Sequence, residues 1–247
     1  MTFASPAVPS NKLALWELFC ARHAIAQSAV PLFDCDVQGR AVAVPFGQNR
    51  RLVLRRSAAM EALLVRQVER VMADPSTGGL GLEGVLYMMH WRDSAGRVLP
   101  LYIGRAGKYG KGHGNLSANL VSIRTNTGKF ARWGSNYAYH IGDLSAAACP
   151  GHDAGRCSPK YRRWAARLFV DAPSLAPAPR EPVWFWATAW GPQSHSIWAD
   201  FEPCSLAFQE YLLIGVASEL FSGVLLNEEG VNRPGPAPSQ THADADL

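Results

Sequence analysis

The chain has 247 residues, of which 48% are hydrophobic, so it can bury a core and is not globally disordered. Its formal net charge of +4 is too small to establish a nucleic-acid partner, so the distribution of charge has to decide that question. The cysteines, Cys20, Cys35, Cys149, Cys157 and Cys204, are irregularly spaced, which argues against a secreted disulfide framework; Met1 to Asn11 lacks a signal-peptide pattern and no apolar run approaches a membrane span, so a cytoplasmic protein with no membrane partner is expected. In chain order, residues 1–10 are small and proline-containing and are expected to fray. Lys12 to Val30 reads as helix, with Leu13, Leu15, Trp16, Leu18 and Phe19 on a broad apolar face. Ala41 to Pro45 and Leu52 to Leu54 read as strands flanked by Arg50, Arg51, Arg55 and Arg56. Ser57 is placed to cap a helix whose Met60, Leu63, Leu64, Val68, Val71 and Met72 recur at helical spacing, and Asp74-Pro75 ends it. The spacing predicts a boundary there: an α-rich extension over 1–80, a domain over 81–232 and a disordered tail over 233–247.

Gly84 to Trp91 and Leu99 to Gly104 are apolar runs joined by Asp93-Ser-Ala-Gly-Arg97, the chemistry of a hairpin. A Gly-rich loop over Gly107 to Gly114, a short helix over Asn115 to Ile123 and a strand over Asn136 to Leu144 are expected next, then a loop over Cys149 to Pro159. Lys160 to Phe169 is an amphipathic helix with Trp164, Leu168 and Phe169 apolar and Lys160, Arg162, Arg163 and Arg167 basic. Ser174 to Pro182 is a proline-rich loop, Pro182 to Trp190 a central strand, and Ser205 to Phe221 a strongly apolar helix. Together these elements predict an α+β fold, a small central antiparallel β-sheet flanked by helices.

Charge is concentrated in one stretch. Arg105, Lys108, Lys111, Arg124, Lys129 and Arg132 occur without an intervening Asp or Glu, among Tyr109, Trp133, Tyr137 and Tyr139. Basic side chains interleaved with aromatics suit a nucleic-acid surface, and glycines 107, 110, 112 and 114 let backbone N–H groups approach a phosphate.

Tyr87 in Gly84-Val-Leu-Tyr87, Tyr102 in Leu101-Tyr-Ile-Gly104, the following Arg105, Glu210 in Glu210-Tyr-Leu-Leu-Ile214 and Asn227 beyond it together resemble the GIY-YIG nuclease superfamily. The resemblance covers about 150 residues. It implies a metal-dependent endonuclease that hydrolyses nucleic-acid phosphodiesters, DNA first, with Mg²⁺ or Mn²⁺ held by Glu210. Tyr87 would orient the attacking water or take its proton, Tyr102 would support it, and Arg105 stands where the family has a lysine. The first motif carries Val85-Leu86 where the family has one residue. Asn115-Leu-Ser-Ala-Asn-Leu120 resembles the family's Asn-Leu-x-x-Arg-Leu, so Asn119 occupies the slot of the family's arginine, and Arg124 or Arg132 is the candidate replacement. Lys108, Lys111, Asn119, Lys129 and Asn227 are the candidate nucleic-acid contacts.

Other readings stand beside these. Tyr87 and Tyr102 can be strand aromatics packed on a helix, and Glu219 is a competing carboxylate on the helix of Glu210. His140, in Tyr139-His-Ile-Gly-Asp143, is either a group for metal or proton transfer or a core strand histidine. Cys149, His152 and Cys157 lack the paired spacing of a zinc site. Trp184, Trp186 and Trp190 read as sheet packing. With Asn119 in the arginine slot, the alternative function is a degenerate module that binds nucleic acid without cutting it.

Overall fold

In a computed structural model of the chain, the structure describes residues 10–75, 81–110, 116–117, 120–121, 123–125 and 140–231. The protein is α+β. A four-stranded antiparallel sheet runs β1 (Val30–Pro31), β6 (Trp184–Trp190), β4 (Gly84–Arg92), β5 (Val98–Gly107), and a separate hairpin pairs β2 (Ala43–Phe46) with β3 (Arg51–Leu54). The helices are α1 (Ser10–Arg22), α2 (Ile25–Ser28), α3 (Ala58–Ala73), α4 (His140–Ala148), α5 (Pro159–Leu168) and α6 (Leu206–Leu220). Strand β4 lies inside the sheet with helices on both faces, so its apolar run is nearly continuous rather than alternating.

The pleat sorts alternate residues of β4 onto two cores. Val85, Tyr87 and Met89 join Leu64 and Val68 of α3, Leu144 of α4 and Trp164 and Leu168 of α5. Leu86 and Met88 join Trp16 and Phe19 of α1 and Leu206, Leu213 and Ile214 of α6. Residues on either side of position 80 therefore share both cores, and β1 from the early part of the chain pairs directly with β6.

Side-chain amides meet β5 at one edge and, at the other, the part of β6 that the two-residue β1 leaves uncovered. On one side, Gln67 of α3 accepts from the Ala189 N–H at 3.0 Å. On the other, Asn227 accepts from the Ile103 N–H and donates to the Ile103 carbonyl, each at 2.9 Å, while the Leu226 N–H donates to Leu101 O. These groups do for the edge strand what a neighbouring strand would do.

Several sequence expectations need correction. The first helix breaks at Ala24, which has a left-handed φ of 46°. The strand expected over Asn136–Leu144 is instead the start of α4 from His140 onward: the run Leu144-Ser-Ala-Ala-Ala148 favours helix, and α4 packs against α5 and β3. Residues 136–139 lie outside the described residues. The described residues of the helix expected over Asn115–Ile123 form turns, with Leu116 bridged to Tyr109. Leu120 and Ile123 are buried as their spacing requires; Leu120 N–H and Ile123 N–H bond three residues back, and Val121 N–H bonds four back to Ser117 O. The tail expected over 233–247 lies outside the described residues.

His90, fully buried on β4, gives the fold a pH dependence. Its Nδ1 faces the Trp91 carbonyl at 2.9 Å, and burial lowers its pKa to about 4. The unfolded chain takes up this proton near 6.5 and the folded protein only near 4. The stabilising contribution is therefore full above pH 6.5 and is lost as pH falls towards 4, by as much as about 3 kcal/mol. Denaturant unfolding at a series of pH values should show this loss, and His90→Gln should flatten it; an unchanged slope in the variant would assign the pH dependence to other groups.

Candidate functional site

Two glycines make the tyrosine pair possible. In the β4–β5 register Tyr87 faces Gly104 and Met89 faces Tyr102, so the two phenols are diagonal neighbours on one face, with ring centroids 6.2 Å apart. A Cβ on Gly104 would lie 2.6 Å from both Cζ and Oη of Tyr87 and 2.8 Å from Cε1 of Tyr102. The bare backbone of Gly104 is the floor on which the Tyr87 ring lies. Gly84 is equally confined: a Cβ there would stand 2.2 Å from the Ala106 carbonyl and 2.9 Å from Gly107 Cα. Both motif glycines are thus explained by close approach.

Tyr87 is the deeper phenol, 6% exposed and stacked on Phe185 at 6.0 Å. The two hydroxyls hydrogen-bond to each other. Burial dominates for both: it pushes Tyr87 well above 10 and Tyr102 to about 12, with the Glu210 carboxylate adding to each. Both phenols are therefore neutral hydrogen-bonding groups near pH 7. The sequence expectation gave Tyr87 the water and Tyr102 the supporting role; Tyr87 is the more buried of the two.

Glu210 arrives from the other side of the edge strand. Glu83, just before β4, donates its N–H to Trp190 O and accepts from Lys108 N–H through its carbonyl, and its carboxylate accepts from Leu206 N–H at 2.7 Å. It thereby ties β4, β5 and β6 to the first turn of α6, while Ser205 caps the same turn. One turn further on, Glu210 meets Arg105, whose Nε donates to Oε2 at 2.7 Å. Burial raises the Glu210 pKa more than Arg105 lowers it. Arg105 is exposed, and its guanidinium engages one carboxylate oxygen through one N–H.

Helix α5 completes the surround, a contribution the sequence reading missed. Trp164 packs on Tyr102 at 4.9 Å and on Tyr161 at 5.1 Å, and Lys160 Nζ lies 5.6, 5.7 and 5.4 Å from the ring centroids of Tyr102, Tyr161 and Trp164. Sequence reading had assigned Lys160 to a basic helix face. The available signal was its i, i+4 spacing to Trp164, which puts cation and indole on one face.

The remaining candidates are not gathered here. Lys108 is buried and donates to Asp74 O, capping the end of α3 rather than facing a ligand. Asn227 is spent on the Ile103 backbone. Arg124 pairs with Glu69 of α3. Glu219 pairs with Lys12 and so fastens α1 to α6. His152 meets Leu52 O at 2.7 Å, and the described residues contain no cluster of three metal-ligating side chains. Lys111, Asn119, Lys129 and Arg132 lie outside the described residues; His140 begins α4, and its side chain is outside them too. The tryptophans of β6 pack as expected, with Trp190 Nε1 donating to Cys204 O.

The fold and site define a helix-flanked antiparallel sheet bearing a buried and a half-buried phenol on one face of β4 and β5, with an arginine–carboxylate pair between β5 and α6. Comparison with family models, curated proteins and solved structures finds no match for the chain. Among the described residues, no helix is long and apolar enough to cross a membrane.

Proposed function

We propose that the chain is a metal-dependent endonuclease of the GIY-YIG type, hydrolysing nucleic-acid phosphodiester bonds, with DNA the first expected substrate. The observation that carries this reading is the Tyr87–Tyr102 pair on β4 and β5 together with the Arg105–Glu210 pair that α6 brings to β5, the carboxylate near enough to act electrostatically on both phenols. Phosphodiester hydrolysis needs an oriented water and stabilisation of charge growing on the phosphoryl oxygens.

The residues present fit a weakly held divalent cation. Glu210 is a single carboxylate, burial disfavours its charge, and the Arg105 contacts offset that only in part. Mg²⁺ accepts such a site because it keeps several waters and takes further oxygens from substrate. When bound, the ion supplies Lewis-acid stabilisation and a more acidic water. The chain's own residues do the rest. Tyr102, the less buried phenol, orients water or a phosphoryl oxygen by hydrogen bonding, Tyr87 fixes the Tyr102 hydroxyl, and Arg105 holds the Glu210 carboxylate in place. High phenol pKa values argue for orientation rather than proton abstraction by a phenolate.

The second reading, nucleic-acid binding without cutting, is favoured by one observation: Arg124, a candidate to replace the family's arginine, is paired with Glu69 on α3. One assay separates the two. Purified protein with supercoiled plasmid should yield nicked and linear products with Mg²⁺ or Mn²⁺ and none with chelator, with an RNA substrate run in parallel. Binding without products on any substrate would select the second reading, and neither binding nor products would overturn both.

A further inference from the structure

We propose that Glu229 is a second carboxylate of the divalent-cation site, brought beside Glu210 by the segment that follows α6. This deepens the nuclease reading and rests on its placement of a cation at Glu210. The segment from Leu226 to Gly230 is fastened at almost every residue. Leu226 N–H donates to Leu101 O, Asn227 brackets the Ile103 amide and carbonyl, and Glu228 pairs with Arg163 of α5. Gly230, with a left-handed φ of 73°, lies against α6: a Cβ there would stand 3.4 Å from Ile214 Cγ2 and 3.7 Å from Tyr211 Cδ2. Ile214 follows Glu210 by one helical turn and shares its face. Glu229 is therefore carried between the edge of β5 and the face of α6 that bears Glu210.

The side chain of Glu229 is exposed and makes no hydrogen bond or ion pair among the described residues. Its charge reaches Glu210 and Tyr102 and opposes the ionisation of both. Arg105 pairs with Glu210, so one cation serves two carboxylates. Like charges held close together are costly, and a divalent cation relieves that cost. The donors gathered here are all oxygens: two carboxylates and the half-buried Tyr102 hydroxyl. Such a set suits Mg²⁺ or Mn²⁺, which one or two carboxylates can hold while water and phosphate complete the shell. Glu210 is the anchor, and Glu229 adds the charge that raises affinity.

The test uses the full chain with Mn²⁺ alone as the probe. Titration followed by electron paramagnetic resonance, which reads free Mn²⁺, gives the affinity without reference to cutting. Glu229→Gln should weaken Mn²⁺ binding by about 10-fold, and Glu229→Asp, which keeps the charge, should weaken it less. Glu228→Gln removes the neighbouring charge and should leave the affinity within about 2-fold of wild type, because exposed charges away from the ion are screened. Plasmid nicking supplies a second readout: Glu229→Gln should need about 10-fold more Mn²⁺ for its half-maximal rate and approach the wild-type rate at saturating Mn²⁺. Equal Mn²⁺ affinity in wild type and Glu229→Gln, or equal weakening by Glu229→Gln and Glu228→Gln, overturns this role, and cutting by wild type would leave the nuclease reading standing. No Mn²⁺ binding by wild type overturns the cation site and this role together. Mn²⁺ binding that depends on Glu229, with no cutting of any substrate, supports the two-carboxylate site and overturns the endonuclease reading alone.

Discussion

Glu210→Gln is expected to lower plasmid cutting by at least about 100-fold, because the site loses its carboxylate and with it the anchor for a divalent ion. The same change should leave the metal-free protein as stable as wild type, or more so. Burial raises the folded-state pKa of Glu210 above that of an unfolded glutamate, and the Arg105 contact does not fully compensate. A raised carboxylate pKa contributes stability at low pH that is lost as pH rises through it, so at neutral pH the ionised carboxylate is a net cost that glutamine removes. Added Mg²⁺ should raise the melting temperature of wild type and do little for the variant, since the ion binds only the folded state. Melting curves with and without metal, beside a cleavage time course, test all three statements. A variant that melts well below wild type without metal would make Glu210 a structural partner of Arg105 and remove it from the site.

Gly104→Ala should damage the site through packing alone. The new methyl carbon would enter at 2.6 Å from the Tyr87 ring and hydroxyl. Tyr87 cannot swing clear, because Phe185 stacks on it and the core around α3, α4 and α5 closes over it. Either the ring leaves its position or β5 moves away from β4, and overpacking of this kind costs about 1–3 kcal/mol. The Tyr87–Tyr102 hydrogen bond is lost in both cases, so cleavage should fall along with stability. Thermal melting and near-ultraviolet circular dichroism would report the displacement; a variant with wild-type melting and rate would show that the strand absorbs the methyl and that the glycine serves another purpose.

Local chemistry made most of the elements legible. Ser57 and Ser205 cap the helices they precede, and the Asp93–Arg97 turn joins the hairpin. The sequence failed where tertiary partners override local preference. A strand was expected over Asn136–Leu144, yet the segment from His140 has α5 and β3 to pack against as a helix. The tyrosines, Arg105 and Glu210 could be picked out from their motifs. Which phenol lies deeper could not, because that depends on Phe185 and α5 arriving from distant parts of the chain. Nor could composition reveal that Lys108 and Asn227 are spent on backbone carbonyls and amides. A lysine in a basic, glycine-rich stretch looks the same in sequence whether it meets a phosphate or the end of a helix.

The amides of Gln67 and Asn227 also bear on how anything can attach to this molecule. A peptide or a second copy seeking to extend the sheet by backbone pairing would have to displace Gln67 at Ala189 or Asn227 at Ile103. Recognition is thereby steered to side chains and loops. Ile103 also sits between Tyr102 and Gly104, so the clamp that blocks strand exchange holds the tyrosine platform in register from the outside.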